Sequence, residues 1–119
     1  MVDNFVFFYT NPEGKFDSRL PLLLTKSIKF NFKNSIVYQI SDKITPKISG
    51  VDNLIINNNI SENMMLSRAE SYRDLKLKDT AIYLDTDMFV AKTFNIEKLI
   101  DKNRVIFLRR SFMKDYKFN

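Results

Sequence analysis

The chain has 119 residues, 45% hydrophobic and 28% charged, with a net charge of +5, values that describe one globular domain rather than two domains or a disordered segment. Cysteine and histidine are both absent, which excludes a disulfide framework, a thiolate zinc centre and any mechanism built on an imidazole base. A metal bound here needs oxygen ligands, which favours magnesium, calcium or manganese.

A positive balance of this size suits nucleic acid, an anionic membrane surface or a phosphate-bearing ligand. The basic residues are nevertheless spread through a chain rich in Lys, Asn and Ile, as expected of ordinary solvated surface. No apolar run approaches the ~18 residues of a membrane-spanning helix. The opening MVDNFVFFYTN has an early acidic residue and no charged segment ahead of its apolar part, so it reads as a first strand and not as a signal peptide. The expectation is a cytoplasmic protein, peripheral at most to the inner face of the membrane.

In chain order, FVFFY (5–9) is a short aromatic and β-branched run closed by the turn residues Asn11, Pro12 and Gly14, which predicts a strand. From Asp17 the period changes. Leu20, Leu24, Ile28 and Phe32 recur every four residues, with Leu23 and Phe30 beside them, and predict one face of a helix. Pro21 is acceptable in its first turn. SIVYQI (35–40) and NLIIN (53–57) are the second and third strands, separated by a polar loop with Pro46 and Gly50.

Ser61 is the expected N-cap of a second helix, with Glu62 near its start. Met65, Ala69, Tyr72 and Leu75 or Lys76 are its expected apolar row, and Lys76 and Lys78 suit its C-terminal end. TAIYL (80–84) is the fourth strand, FNIEKLID (94–101) a short helix and RVIFLRR (104–110) a last strand. This order predicts an α/β fold: a Rossmann-like, mostly parallel sheet with helices on both faces. The two glycines, Gly14 and Gly50, exclude a GxGxxG fingerprint and a P-loop.

The most informative stretch is TAIYLDTDMFVAKTF (80–94), where Asp85 and Asp87 follow an apolar run and apolar residues resume at Met88. In an open α/β sheet, ligands bind beyond the carboxyl ends of the strands. In extended geometry the two side chains project to the same side, roughly 6–7 Å apart along the backbone. Two bare carboxylates so close repel. A divalent cation relieves that repulsion, and magnesium is commonly held by one or two carboxylates together with substrate phosphates. A solvated turn or a helix cap is the structural alternative. Apolar residues directly after the pair argue against a turn.

AIYLDTDMFV resembles the DxD motif of nucleotide-sugar-dependent glycosyltransferases of the GT-A fold, and the preceding SENMMLSRAESYRDLKLKDT resembles the helix that leads into it. The resemblance in strand order runs from residue 5 to about residue 110, and residues 62–91 carry the motif-specific part. It implies that Asp85 and Asp87 bind Mn2+ or Mg2+ bridging the diphosphate of a UDP- or GDP-sugar, and that Asp85 also touches the nucleotide. It further implies that Arg68 reaches the nucleotide and that Tyr9, Thr10 and Asp42, at the ends of the first two strands, hold the base. The sugar would pass to a glycan, lipid or protein acceptor.

Family catalytic domains continue into an acceptor-binding half that often supplies a histidine, whereas this chain stops at Asn119 and has none. The expectation over 1–119 is therefore one donor-binding domain, truncated after the DxD region and completed by a downstream half; no catalytic base is assignable.

Two other families pair aspartates in this way. Toprim domains, magnesium-dependent and acting on nucleic acid, combine a Glu-Gly after the first strand with a later DxD, and NPEGK supplies Glu13 and Gly14. The spacing from the strand is long, however, and no glycine follows Asp87. The haloacid-dehalogenase motif needs Thr or Val where Phe89 stands. A non-catalytic accessory module is the third alternative, supported by LRRSFMKDYKFN (108–119) with Arg109, Arg110, Lys114 and Lys117 among aromatics, a mixture suited to anionic surfaces. Nucleic acid remains the less favoured partner.

Overall fold

The computed structural model describes residues 3–77, 79–93 and 95–96. The predicted strand at 104–110, the basic aromatic segment at 108–119 and nearly all of the predicted helix at 94–101 lie outside them. The elements run β1 (Asp3–Phe8), α1 (Arg19–Asn31), β2 (Ser35–Ser41), β3 (Asn53–Ile56), α2 (Met64–Asp74) and β4 (Ala81–Tyr83). The four strands form one parallel sheet in the order β3-β2-β1-β4, so the α/β class and the strand–helix alternation are as predicted.

Register shows which side chains share a face. Phe5 pairs with Val37 on one side and with Ile82 on the other, while Val6 pairs with Tyr38 and Tyr83. Successive residues of a strand point to opposite faces, so Phe5, Phe7, Val37 and Ile82 share one face and Val6, Tyr38 and Tyr83 the other. The first face carries α1, whose Leu24 and Ile28 join Phe5, Phe7 and Val37 in the core, all fully buried. The second carries α2, where the Tyr72 ring lies 4.6 Å from that of Tyr83. A helix on each face explains why β1 is apolar at consecutive positions instead of alternating.

Helix α1 buries Pro21, Leu24, Thr25 and Ile28, and Phe32 follows as C-cap, its ring 5.1 Å from that of Phe5. The expected row from Leu20 is only partly right. Residues four apart advance by more than one helical turn, about 40°, so the row drifts off the sheet toward its N-terminal end. Leu20 is accordingly exposed, and Leu23 and Phe30 lie on the far side of the helix, 52% and 75% exposed. Lys33 sits over the Phe30 ring.

Helix α2 begins at Asn63, not at Ser61: the Asn63 side chain accepts the Leu66 amide at 3.1 Å. Ser61 instead faces Ser67, whose hydroxyl accepts the Ser61 amide at 2.9 Å. The expected apolar row of α2 is only partly its contact face: Tyr72 packs against Tyr83, but the N-terminal part of the row does not reach the sheet. Met65 is 73% exposed, and the buried positions are Ser67 and Ser71, small enough to bring the helix against the end of β3. There Asn57 donates to the Ser71 hydroxyl at 2.7 Å. The helix ends at Asp74 with Leu75 as C-cap, short of Lys76.

Between β2 and β3 the chain is irregular but tied down. Gln39, fully buried, donates to the Pro46 carbonyl and accepts the Ile48 amide at 2.7 Å. Asp52 accepts from Lys29 and from the Val37 amide. Gly50 supplies the positive φ of 93° that the turn requires.

Candidate functional site

The chain proceeds from β1 to β2 and β3 on one side, then returns through α2 to place β4 on the other side of β1. The direction of winding reverses between β1 and β4, and the carboxyl ends of those strands flank the crevice where open α/β sheets bind ligands. A cavity of about 470 Å³ opens there. Tyr9 and Thr10 line it from the end of β1, and Asp85, Thr86 and Asp87 from the segment after β4. Arg68 and Tyr72 line it from α2, one helical turn apart, and Asp17 from the β1–α1 connection.

The aspartate segment is built differently from expectation. Leu84 makes one further ladder bond, its amide to the Val6 carbonyl at 2.9 Å, and the chain then turns, with the Met88 amide bonded to the Asp85 carbonyl at 3.2 Å. Asp85 and Asp87 therefore stand on a turn, not on an extended strand end. Met88 and Phe89 are exposed and do not continue the sheet. Their role as evidence against a turn fails because the next residue is held by α1: the Val90 amide donates to the Ser27 hydroxyl and its carbonyl accepts from Asn31, both at 2.8 Å. The turn is fixed at both ends, by the sheet before it and by α1 after it.

Arg68 Nη1 donates to Asp85 Oδ1 at 2.9 Å, with both side chains partly exposed. The pair of like charges inferred from sequence is thus accompanied by a cation. Asp85 is offset by Arg68, and Asp87 has no ion-pair partner among the described residues. Asp17 is bound by Arg19 at 2.8 Å, and that bond holds its carboxyl below the usual range. Tyr72 is the reverse case. Burial, reinforced by the Asp85 charge and Tyr83 and opposed by Arg68, pushes its phenol up to about 12. It stays protonated at neutral pH and can donate a hydrogen bond but cannot act as a base.

The residues expected to hold a base separate into two places. Tyr9 and Thr10 are buried at the mouth of β1, and the Tyr9 hydroxyl accepts from Asn11 Nδ2 at 2.9 Å. Asp42 is not in the aspartate cavity. It lines a second cavity of about 670 Å³ across the ends of β2 and β3, which shares Thr10, Phe16 and Met64 with the first. Its carboxylate is engaged by its own loop, accepting from the Ile44 amide, the Thr45 amide and the Thr45 hydroxyl, each at 2.7 Å. Burial pushes this carboxyl up, but the Thr45 and Ile44 bonds outweigh it and the group stays below the usual range. Thr45 in turn accepts the Asn11 amide at 2.6 Å, joining the loops that leave β1 and β2. Glu13 also lines the second cavity and pairs with Lys15 at 2.6 Å, away from Asp85 and Asp87.

Sequence reading did not single out Asp17, Tyr72 or the apolar rim of Phe16, Leu20, Met64 and Met65 as cavity residues. The available signal for Tyr72 was its position four residues after Arg68, which puts both on one face of a helix. Among the described residues no group of three or more acidic side chains could enclose a metal. Three carboxylates, those of Asp17, Asp85 and Asp87, and the Arg68 guanidinium line the cavity, with Asp17 engaged by Arg19, and no helix among the described residues is long and apolar enough to cross a membrane. Comparison of the chain with protein-family models, with curated proteins and with solved structures gave no match.

Proposed function

We propose that this domain binds the nucleoside-diphosphate part of a UDP- or GDP-sugar in the crevice between β1 and β4, through Mn2+ or Mg2+ held by Asp85 and Asp87. It serves as the donor-binding domain of a glycosyltransferase that delivers the sugar to a glycan, lipid or protein acceptor. The observation that carries this reading is the meeting of Asp85, Asp87 and Arg68 in one cavity at the reversal point of a parallel sheet.

The donor set fits a metal shared with a ligand. Two carboxylates are too few for an all-protein cage but are the usual protein share of a magnesium site completed by phosphate oxygens. When bound, the cation neutralises charge that develops on the departing nucleoside diphosphate. Asp87, unpaired among the described residues, is the principal metal ligand, and Asp85 is the second. Arg68 faces the same space with a planar fork that matches phosphate. Tyr72, protonated, offers a neutral hydrogen-bond donor. Tyr9 and Thr10 form the wall where the chain leaves β1.

Calorimetric titration of UDP, GDP and CMP, with and without Mn2+, tests this directly. Manganese-dependent binding of UDP or GDP is expected; no metal-dependent binding of any of the three would sink the proposal. Asp87→Asn is expected to weaken the metal-dependent binding at least about ten-fold, the scale of a lost charged ligand contact, while Glu13→Gln leaves it unchanged. The opposite pattern would favour a Toprim-like, magnesium-dependent nucleic-acid domain.

A further inference from the structure

Two of the ion pairs among the described residues join separate elements, Lys29 with Asp52 and Arg68 with Asp85, and they differ in kind. Asp52 also accepts the Val37 amide, so the first pair is part of the framework. The Asp85 carboxylate has Arg68 as its one hydrogen-bond partner among the described residues, through a single oxygen. Exposed pairs of this sort are worth little and are readily exchanged. Helix α2, moreover, is seated without it: the Tyr72–Tyr83 contact and the Asn57–Ser71 bond fasten it to the sheet. The structure thus keeps a guanidinium on the Asp85 carboxylate by a contact that the fold does not need.

From this we infer that Arg68 is an exchangeable counter-ion. It neutralises Asp85 until a divalent cation takes that carboxylate, and it then turns to the diphosphate. Charge favours the exchange. Arg68, Asp85 and Asp87 together carry one net negative charge, which attracts a cation; with a divalent ion added the sum becomes one positive charge, which attracts a diphosphate. A guanidinium fork fits carboxylate and phosphate alike, so the same side chain serves both states. Metal and nucleotide then bind cooperatively, and by linkage each raises the affinity of the other by the same factor. This inference rests on the reading of the cavity as a metal–nucleotide site.

The test is calorimetry on the full chain with two probes, Mn2+ alone and UDP or GDP (whichever the wild type binds) with and without Mn2+. Arg68→Gln is expected to bind Mn2+ alone up to about five-fold more tightly, the scale of the exposed ion pair that the cation must otherwise displace from Asp85. It is also expected to bind the nucleotide less tightly in the presence of Mn2+, so that the factor by which the metal improves nucleotide binding shrinks. In an Asp85→Asn background, adding Arg68→Gln should leave Mn2+ affinity unchanged, because the effect runs through Asp85. Equal tightening in both backgrounds would reduce Arg68 to a field effect and overturn the exchange, as would no tightening at all. If Asp85→Asn abolishes metal binding outright, the metal–nucleotide coupling of Arg68→Gln decides alone. A wild type that binds no metal and no nucleotide defeats the functional reading together with this one, whereas a wild type whose coupling is unaltered by Arg68→Gln defeats only the exchange.

Discussion

The two faces of the sheet are made by different means. Under α1, aromatic and branched side chains from β1, β2 and the helix close on one another, and Phe5, Phe7, Leu24, Ile28 and Val37 have no exposure. Under α2, the buried helix positions are Ser67 and Ser71, and attachment relies on hydrogen bonds from Asn57 and Ser61 and on one tyrosine pair. Apolar burial is the dominant stabilising term in folding, so the α1 face carries the fold. The cavity opens beside α2, where the partly exposed Arg68 and Asp85 meet. A domain whose two faces differ this way can hold charged, weakly packed residues at the rim of its cavity without loosening its core.

The largest expected break in this comparison comes from Phe5→Ala, which removes the ring at the centre of the α1 face. A loss of about 3–5 kcal/mol is expected for a buried aromatic, measured by urea denaturation; a loss under about 1 kcal/mol would mean that this face is not the principal core. A smaller effect is expected from the framework ion pair. Burial pushes the Asp52 carboxyl up, but Lys29 and the Val37 amide outweigh it and hold it below the usual range. A carboxyl lowered by folding contributes stability that is present above its unfolded pKa and is lost as pH falls through the folded one. Asp52→Asn, partly exposed, should therefore cost about 1 kcal/mol at neutral pH, and the gap to wild type should close on acidification below about pH 4. A gap that stays constant down to pH 2 would show that the charge is not what matters. The smallest effect belongs to the α2 face: Asn63→Ala, deleting the N-cap, should cost about 0.5–1 kcal/mol in thermal denaturation, and a larger loss would make α2 more central to stability than its packing indicates.

Much of the α1 face was legible in the chain because continuous apolar runs and a helical period report burial directly. All four strands and both helices were expected within a few residues of where they lie. What escaped reading has physical causes. The Leu20 row is not a straight face, because a four-residue spacing drifts around a helix. Tyr72 of the expected α2 row does pack on the sheet, against Tyr83, but the buried positions of the helix are serines, which carry no hydrophobic signal, whereas Met65 of that row is exposed. Asn63 displaced Ser61 as cap because Ser61 is occupied by Ser67. The turn at Asp85 was hidden because the apolar residues after it serve a strap on α1, a long-range pairing of Val90 with Ser27 and Asn31. The Arg68–Asp85 bond is likewise a product of tertiary placement: the sequence put Arg68 on the right helix and the two aspartates after the right strand, but their contact depends on the crossover that brings α2 beside β4.

Gln39 has a consequence for how the chain tolerates changes in length. Its amide bridges Pro46 and Ile48, a span with room for one intervening residue, so the irregular segment before β3 is measured out against β2. A residue added between Pro46 and Ile48 would pull one group off that amide and strand a polar atom in the core. The exposed Pro12–Lys15 tip is the opposite case: Asn11 clasps Phe16 from both sides of its own amide at 2.9 and 3.0 Å, so the loop between them can lengthen while its ends stay closed. Peptide insertions and fusion junctions belong at that tip, and the stretch after β2 must keep its count.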